Sequence, residues 1–143
     1  MICYDNKRHF EIEGEKRFCK ERVEAFCNEA GIALYDTACE VVRLKENASD
    51  KFLEVVTPTD IHALLEHIPH CTAIVTTGEK ATDVVTETFQ CEKPKVGAMT
   101  TIDINGRKLH FWRMPSSSRA YPLAIEKKAL HYKEMFETEI NRK

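Results

Sequence analysis

Toward its C-terminal end the chain reads FWRMPSSSRAYPLAIEKKALHY, with Ser116, Ser117 and Ser118 after a proline and between Arg113 and Arg119. Hydroxyls and exposed amides gathered at a helix-mouth turn can hold a phosphate without a large positive charge nearby. The two arginines add charge to such a grip, and Lys127 and Lys128 stand one to two turns into the helix that follows. A plainer use of the same serines is to cap that helix and satisfy its free amides. By residue type alone, capping is the commoner use of a serine-rich turn.

Other reactive side chains point to less. His62, His67, His70 and Cys71 suggest a metal site, but His62 and His67 are five residues apart, a poor spacing for one helix face. No metal and no cofactor are expected. The six cysteines (Cys3, Cys19, Cys27, Cys39, Cys71 and Cys91) include no C-x-x-C pair, and reduced, partly buried thiols are the expectation. A serine-hydrolase reading fails for want of a G-x-S-x-G elbow.

The elements that must position the serine turn follow from patterning. A chain of 143 residues suits one domain, expected over 1–143. With 43% hydrophobic and 31% charged residues the composition is that of a soluble globular protein. No apolar run reaches the length of a membrane span, and MICYDNKRHF lacks the core of a signal peptide. A cytoplasmic monomer with no membrane partner is expected. The formal net charge of −2 gives no bulk attraction for nucleic acid, so any DNA binding must rest on a local patch.

Gly14 to Ala30 carries Cys19, Val23, Phe26, Cys27 and Ala30 at helical spacing, with Gly31 as a stop. GIALYDT reads as a buried strand ending at Asp36, and RLKENASDKF as a loop. In TPTDIHALLEHIP, Thr57 is the expected cap and Pro58 the first helical residue, before the stripe Ile61, Leu64, Leu65 and Ile68. CTAIVTTGEKATDVVTETF reads as strand, Gly78 turn and helix. TTIDINGRKLHFWRM carries an Asn105-Gly106 hairpin signal. A last helix is expected from Pro122, with Ile125, Ala129, Tyr132 and Phe136 facing in. The alternation predicts a three-layer α/β/α domain with a mainly parallel sheet, and GIALYDT, TAIVTT and KLHFWR are expected to lie together in that one sheet. Ligands of such folds bind beyond the carboxyl ends of the strands. That directs attention to Asp36, to Thr77-Gly78 and to Met114 through Arg119.

MPSSSRAY resembles the second motif of the uracil-DNA glycosylase superfamily, a His/Asn/Leu-Pro-Ser turn that pinches a DNA phosphate and pushes a wedge into the base stack. Its form is most similar to the bacterial uracil- or hypoxanthine-directed branch with Leu-Pro-Ser-Thr-Ser-Pro-Ala. ALYDT followed by VVRLKENAS resembles that family's second strand and loop, and AIVTTGEKA its strand-Gly-x-x-Ala segment through Gly78 and Ala81. The three segments occur in the family's order from about GIALYDT to KEMF, most of the chain.

The resemblance implies a base-excision repair protein that binds double- or single-stranded DNA and hydrolyses the N-glycosidic bond of a deaminated base. It implies a phosphate and wedge contact at Ser116, Ser117, Ser118 and Arg119, and a base pocket at Asp36, Gly78 and Met114. The resemblance places Asp36 where a base-reading Asn often sits, and an ionised Asp36 would accept the N–H that uracil and hypoxanthine carry and cytosine lacks. Asp36 is also the one candidate catalytic residue, and capping of the next segment is its alternative role. Tyr35 and Phe111 are expected in the core rather than stacked on a base, and Trp112 on the opposite sheet face beneath a helix.

The sequence departs from the family in three places. The glycine- and proline-containing loop after the first strand, which in many branches supplies an Asp or Asn to position water, has no counterpart. Expected, therefore, is a domain without its first strand and truncated at the N-terminus relative to the family. Met114 stands where the fastest uracil enzymes have a hydrogen-bond-donating histidine. Ser118 and Arg119 stand where many relatives place an apolar wedge. An active glycosylase, a non-catalytic nucleic-acid-binding relative and an inactive fragment are the three classes that follow.

Overall fold

The computed structural model describes residues 9–43 and 53–142. The chain divides into two compact units, Met1–Tyr35 and Asp36–Lys143.

In the first unit a tight turn at Gly14 brings Glu11 and Phe18 into a β-bridge. Helix α1 (Lys20–Ala30) follows, later than the pattern from Gly14 suggests because Cys19 still donates its amide across the turn to Phe10. Gly31 ends the helix as expected: at φ 70° it takes the left-handed cap, and the Ile32 amide returns to the Cys27 carbonyl at 2.8 Å.

GIALYDT is not a strand. Residues 32–36 are irregular, Leu34 and Tyr35 are 73% and 71% exposed, and the boundary between the two units falls inside the segment. A short apolar run gives strand-like patterning, but a strand requires a ladder partner, and among the described residues none pairs with it. Tyr35 is therefore a surface residue rather than a core one.

The second unit opens with β1 (Ala38–Arg43) and β2 (Leu53–Pro58), an antiparallel pair with Val41 opposite Val55 and Arg43 opposite Leu53. The expected RLKENASDKF loop lies, apart from Arg43, outside the described residues. Thr57 and Pro58 finish β2 instead of opening a helix. Helix α2 (Ile61–His67) is capped by Asp60, whose carboxylate accepts from the Ala63 amide at 3.0 Å. The helix itself and its inward Ile61 and Leu65 are as patterned.

The main sheet holds β3 (Ala73–Thr77), β4 (Met99–Ile104) and β5 (Arg107–Met114) in the order β3-β5-β4. It is mixed rather than mainly parallel: β3 runs parallel to β5, while β4 pairs antiparallel with β5 through the Asn105-Gly106 hairpin. Both turn residues have positive φ, 53° and 85°, as a two-residue hairpin of this type requires. TAIVTT and KLHFWR do share one sheet, in register from Ala73–His110 to Thr77–Met114.

Alternation along RKLHFWRM sorts its side chains to the two faces. Leu109 and Phe111, with Ile74 and Ile102, pack against Ile61 and Leu65 of α2 and Val84 and Val85 of α3 (Glu79–Phe89). Trp112 and Met114 pack instead against Tyr132, Met135 and Phe136 of α4 (Ile125–Arg142). Trp112 thus lies beneath a helix as the alternation predicts. Helix α4 begins at Ile125, after Pro122; of its expected inward residues Tyr132 and Phe136 do face the sheet, but the start of the helix differs. Ile125 is 75% exposed and Ala129 is exposed, while Lys128 and Met135 are buried.

Candidate functional site

At their carboxyl ends β3 and β5 stop in register, Thr77 beside Met114, and each runs into a turn. The Gly78 amide donates to the Met114 carbonyl at 3.2 Å, which ties the two turns together. Gly78 has φ 99° and ψ 168°, a region open essentially to glycine alone, and it is the uncapped start of α3. A β-carbon added there would lie 3.6 Å from Ser116 Cβ, so the serine turn rests directly against the glycine turn.

The serines close their own turn. Ser116 Oγ accepts from the Ser118 amide and Ser118 Oγ from the Ala120 amide, both at 3.2 Å. Capping of the following helix is not their work, because α4 starts only at Ile125. Instead α4 holds the turn from below. Lys128 Nζ donates to the Ser118 carbonyl at 2.7 Å, and Tyr132 Oη donates to the Pro115 carbonyl at 3.2 Å. Burial pushes the Tyr132 hydroxyl's pKa up, which keeps it a donor. With these carbonyls engaged, the amides of Ser116, Ser117 and Arg119 have no backbone acceptor among the described residues.

Between the two turns lies a cavity of about 450 Å³, lined by Gly78, Glu79, Lys80 and Asp83 from the start of α3, by Arg113 and Met114, and by Pro115, Ser116, Ser118 and Tyr121. The Arg113 guanidinium donates to the Pro94 carbonyl at 3.3 Å, while its buried Nε finds no acceptor among the described residues. Glu79 and Asp83 would oppose an anion, but Lys93 Nζ reaches both, at 3.1 and 2.6 Å. Asp83 first and Glu79 second hold the Lys93 ammonium above the usual lysine range. Beneath the Gly78 turn, Thr82 Oγ1 donates to the Gly78 carbonyl at 2.7 Å and meets Thr76 Oγ1 at 2.9 Å.

Gly78, Met114, Ser116 and Ser118 thus come together at one place. Ser117 and Arg119 are on the same turn but are exposed and do not line the cavity. Asp36 is exposed, is not among the lining residues, and offers its backbone carbonyl to Thr59 Oγ1 at 2.6 Å. Phe111 is core, fully buried. His62 packs its ring against Phe89 at 4.8 Å, and among the described residues no group of three or more His, Cys, Asp or Glu could hold a metal.

Sequence reasoning missed the supports: Tyr132 as a donor, the Thr76–Thr82 pair and the Lys93 clamp. Lys128 was visible as charge near the turn, but its phase on α4 gave no sign that it points inward.

No family model, no curated protein and no solved structure matches this chain. Among the described residues no helix is long and apolar enough to cross a membrane.

Proposed function

We propose that this chain binds nucleic acid, and that its serine turn holds a backbone phosphate. The observation that carries the reading is the seating of two turns side by side at the ends of parallel β3 and β5. One supplies the free amides at the start of α3 and the other the amides of Ser116, Ser117 and Arg119. Amide clusters at a helix N-terminus suit anions. Arg113 and Lys80 line the cavity, Arg119 adds an exposed cation on the same turn, and Lys93 offsets the acidic pair.

The resemblance to uracil-DNA glycosylases gives the substrate class: DNA, with uracil or hypoxanthine as the extruded base. Helices against both faces of the sheet support the three-layer α/β/α arrangement of that family. Binding rather than base excision is the function favoured. Asp36 is not at the cavity, and Met114 cannot stabilise charge on a departing base, a loss of roughly 10²–10³ in rate. A cytoplasmic monomer acting on DNA is the setting that fits this reading.

Titration of fluorescent duplex and single-stranded DNA tests it. Ser116→Ala with Ser117→Ala should weaken binding across sequences, and Arg119→Gln should also lower the salt slope by about 1. Wild-type affinity and slope in all these variants would remove phosphate binding from the turn. Single-turnover release of uracil and hypoxanthine should be little or none. Robust release that Asp36→Ala abolishes would overturn the binding-only reading and make Asp36 catalytic.

A further inference from the structure

Lys128 is the least expected side chain in the second unit. It projects from the first turn of α4 into the interior with only 8% of its surface exposed. Lysine is almost never buried to that degree unless it is paired with an anion. Yet among the described residues no carboxylate lies within ion-pair reach of its ammonium. Its partners are the Ser118 carbonyl at 2.7 Å and the face of the Tyr121 ring, 5.4 Å from the centroid. Both partners are neutral, so the positive charge is solvated by dipoles but not neutralised. The missing counter-charge has to come from outside these residues, and the carbonyl that the ammonium holds belongs to the serine turn, which is exposed at Ser117 and Arg119.

We propose that Lys128 is a positioning residue of the serine turn and the fixed cation behind its anion site, so that a phosphate bound at the turn completes the pair. This rests on the phosphate-binding reading of the same turn and names the charge that drives it. The carbonyl bond does the positioning. Drawing the Ser118 oxygen inward fixes that peptide, while Tyr132 draws in the Pro115 oxygen, and the amides of Ser116, Ser117 and Arg119 are left without a backbone acceptor among the described residues. The ammonium adds a field that surface lysines supply poorly, because a charge with little water around it is screened less.

Two substitutions separate the two roles. Lys128→Gln keeps a donor for the Ser118 carbonyl and removes the charge, whereas Lys128→Met removes both. Each variant is first checked for folding through Trp112 fluorescence, then titrated with inorganic phosphate and with duplex DNA at several salt concentrations. Amide exchange across 116–120 is measured on the free proteins. Lys128→Gln should keep near-wild-type exchange in the turn but bind phosphate and DNA roughly ten- to a hundredfold more weakly, the worth of a fixed charge several ångströms behind the site in partly buried surroundings. Its DNA salt slope should fall by about 1. Lys128→Met should show the same loss and also faster exchange at Ser118 and Ala120. Wild-type DNA binding that both variants reproduce in affinity and slope would overturn the inference while leaving the phosphate reading intact. A wild-type protein that binds neither probe defeats the phosphate reading and the cation role with it; unchanged exchange in Lys128→Met defeats the positioning role on its own.

Discussion

Replacing Glu139 by alanine would take the acceptor from two donors of β5 at once. Glu139 Oε1 receives the Trp112 indole N–H at 2.7 Å and the His110 Nδ1–H at 2.6 Å, and Oε2 lies 3.4 Å from the Arg142 guanidinium. The carboxylate side chain is 11% exposed and that of His110 18%, so water replaces little of what is lost. A hydrogen bond to a charged group contributes about 1.5–3 kcal/mol, and a buried donor left unpaired costs about 1–3 kcal/mol. Trp112 is 7% exposed and would bear the fuller penalty, while His110 can partly rehydrate. Since the two bonds share one oxygen they do not add, and a loss of about 2–4 kcal/mol is expected for Glu139→Ala. Glu139→Gln keeps an accepting oxygen without the charge and should lose about 1–2 kcal/mol. Urea unfolding followed through Trp112, the one tryptophan of the chain, reads this contact directly.

Acid supplies an independent check on the same contact. Burial raises the Glu139 pKa, but the hydrogen bonds from Trp112 and His110, with the charges of His110 and Arg142, outweigh it and leave the carboxyl below its usual range. A depressed carboxylate stabilises the fold above its unfolded value, about 4.3 for glutamate, and the contribution fades as pH falls through the folded value. The gap between wild type and Glu139→Gln should therefore be full at neutral pH and close on acidification below that range. Equal stabilities at neutral pH, or a gap that does not narrow in acid, would refute this account of how α4 is anchored.

Two further expectations concern the turns themselves. Gly78→Ala forces a side chain into φ 99° and toward Ser116, so a loss of about 1–3 kcal/mol and displaced serine-turn resonances are expected, read by thermal melting and amide shifts. In Thr82→Val, Thr76 keeps the Trp112 carbonyl at 3.2 Å while the Gly78 carbonyl loses its closest donor. That should cost about 1–2 kcal/mol, and a double change with Thr76→Val should cost less than the sum of the two single changes.

Local chemistry was legible in the sequence wherever an element's identity depends on near neighbours. AIVTT, the Gly78 turn, ATDVVTETF and the Asn105-Gly106 hairpin all form where their residues imply, because a glycine at positive φ and a period of 2 or 3.6 are properties of short segments. The placing of the serine turn beside Gly78 was half legible, since parallel strands expose their carboxyl ends together. Pairing was not legible. GIALYDT has the composition of a strand and remains irregular, and Thr57-Pro58, with the residues to open a helix, closes β2 instead while Asp60 takes the cap. Each outcome depends on which distant segment offers hydrogen bonds, and residue type does not carry that information. The inward turn of α4 is the same lesson in packing. Hydropathy would put Ile125 inside and Lys128 outside, but the Ser118 carbonyl and the Tyr121 ring, brought close only by the fold, give the ammonium partners that a helix alone cannot supply.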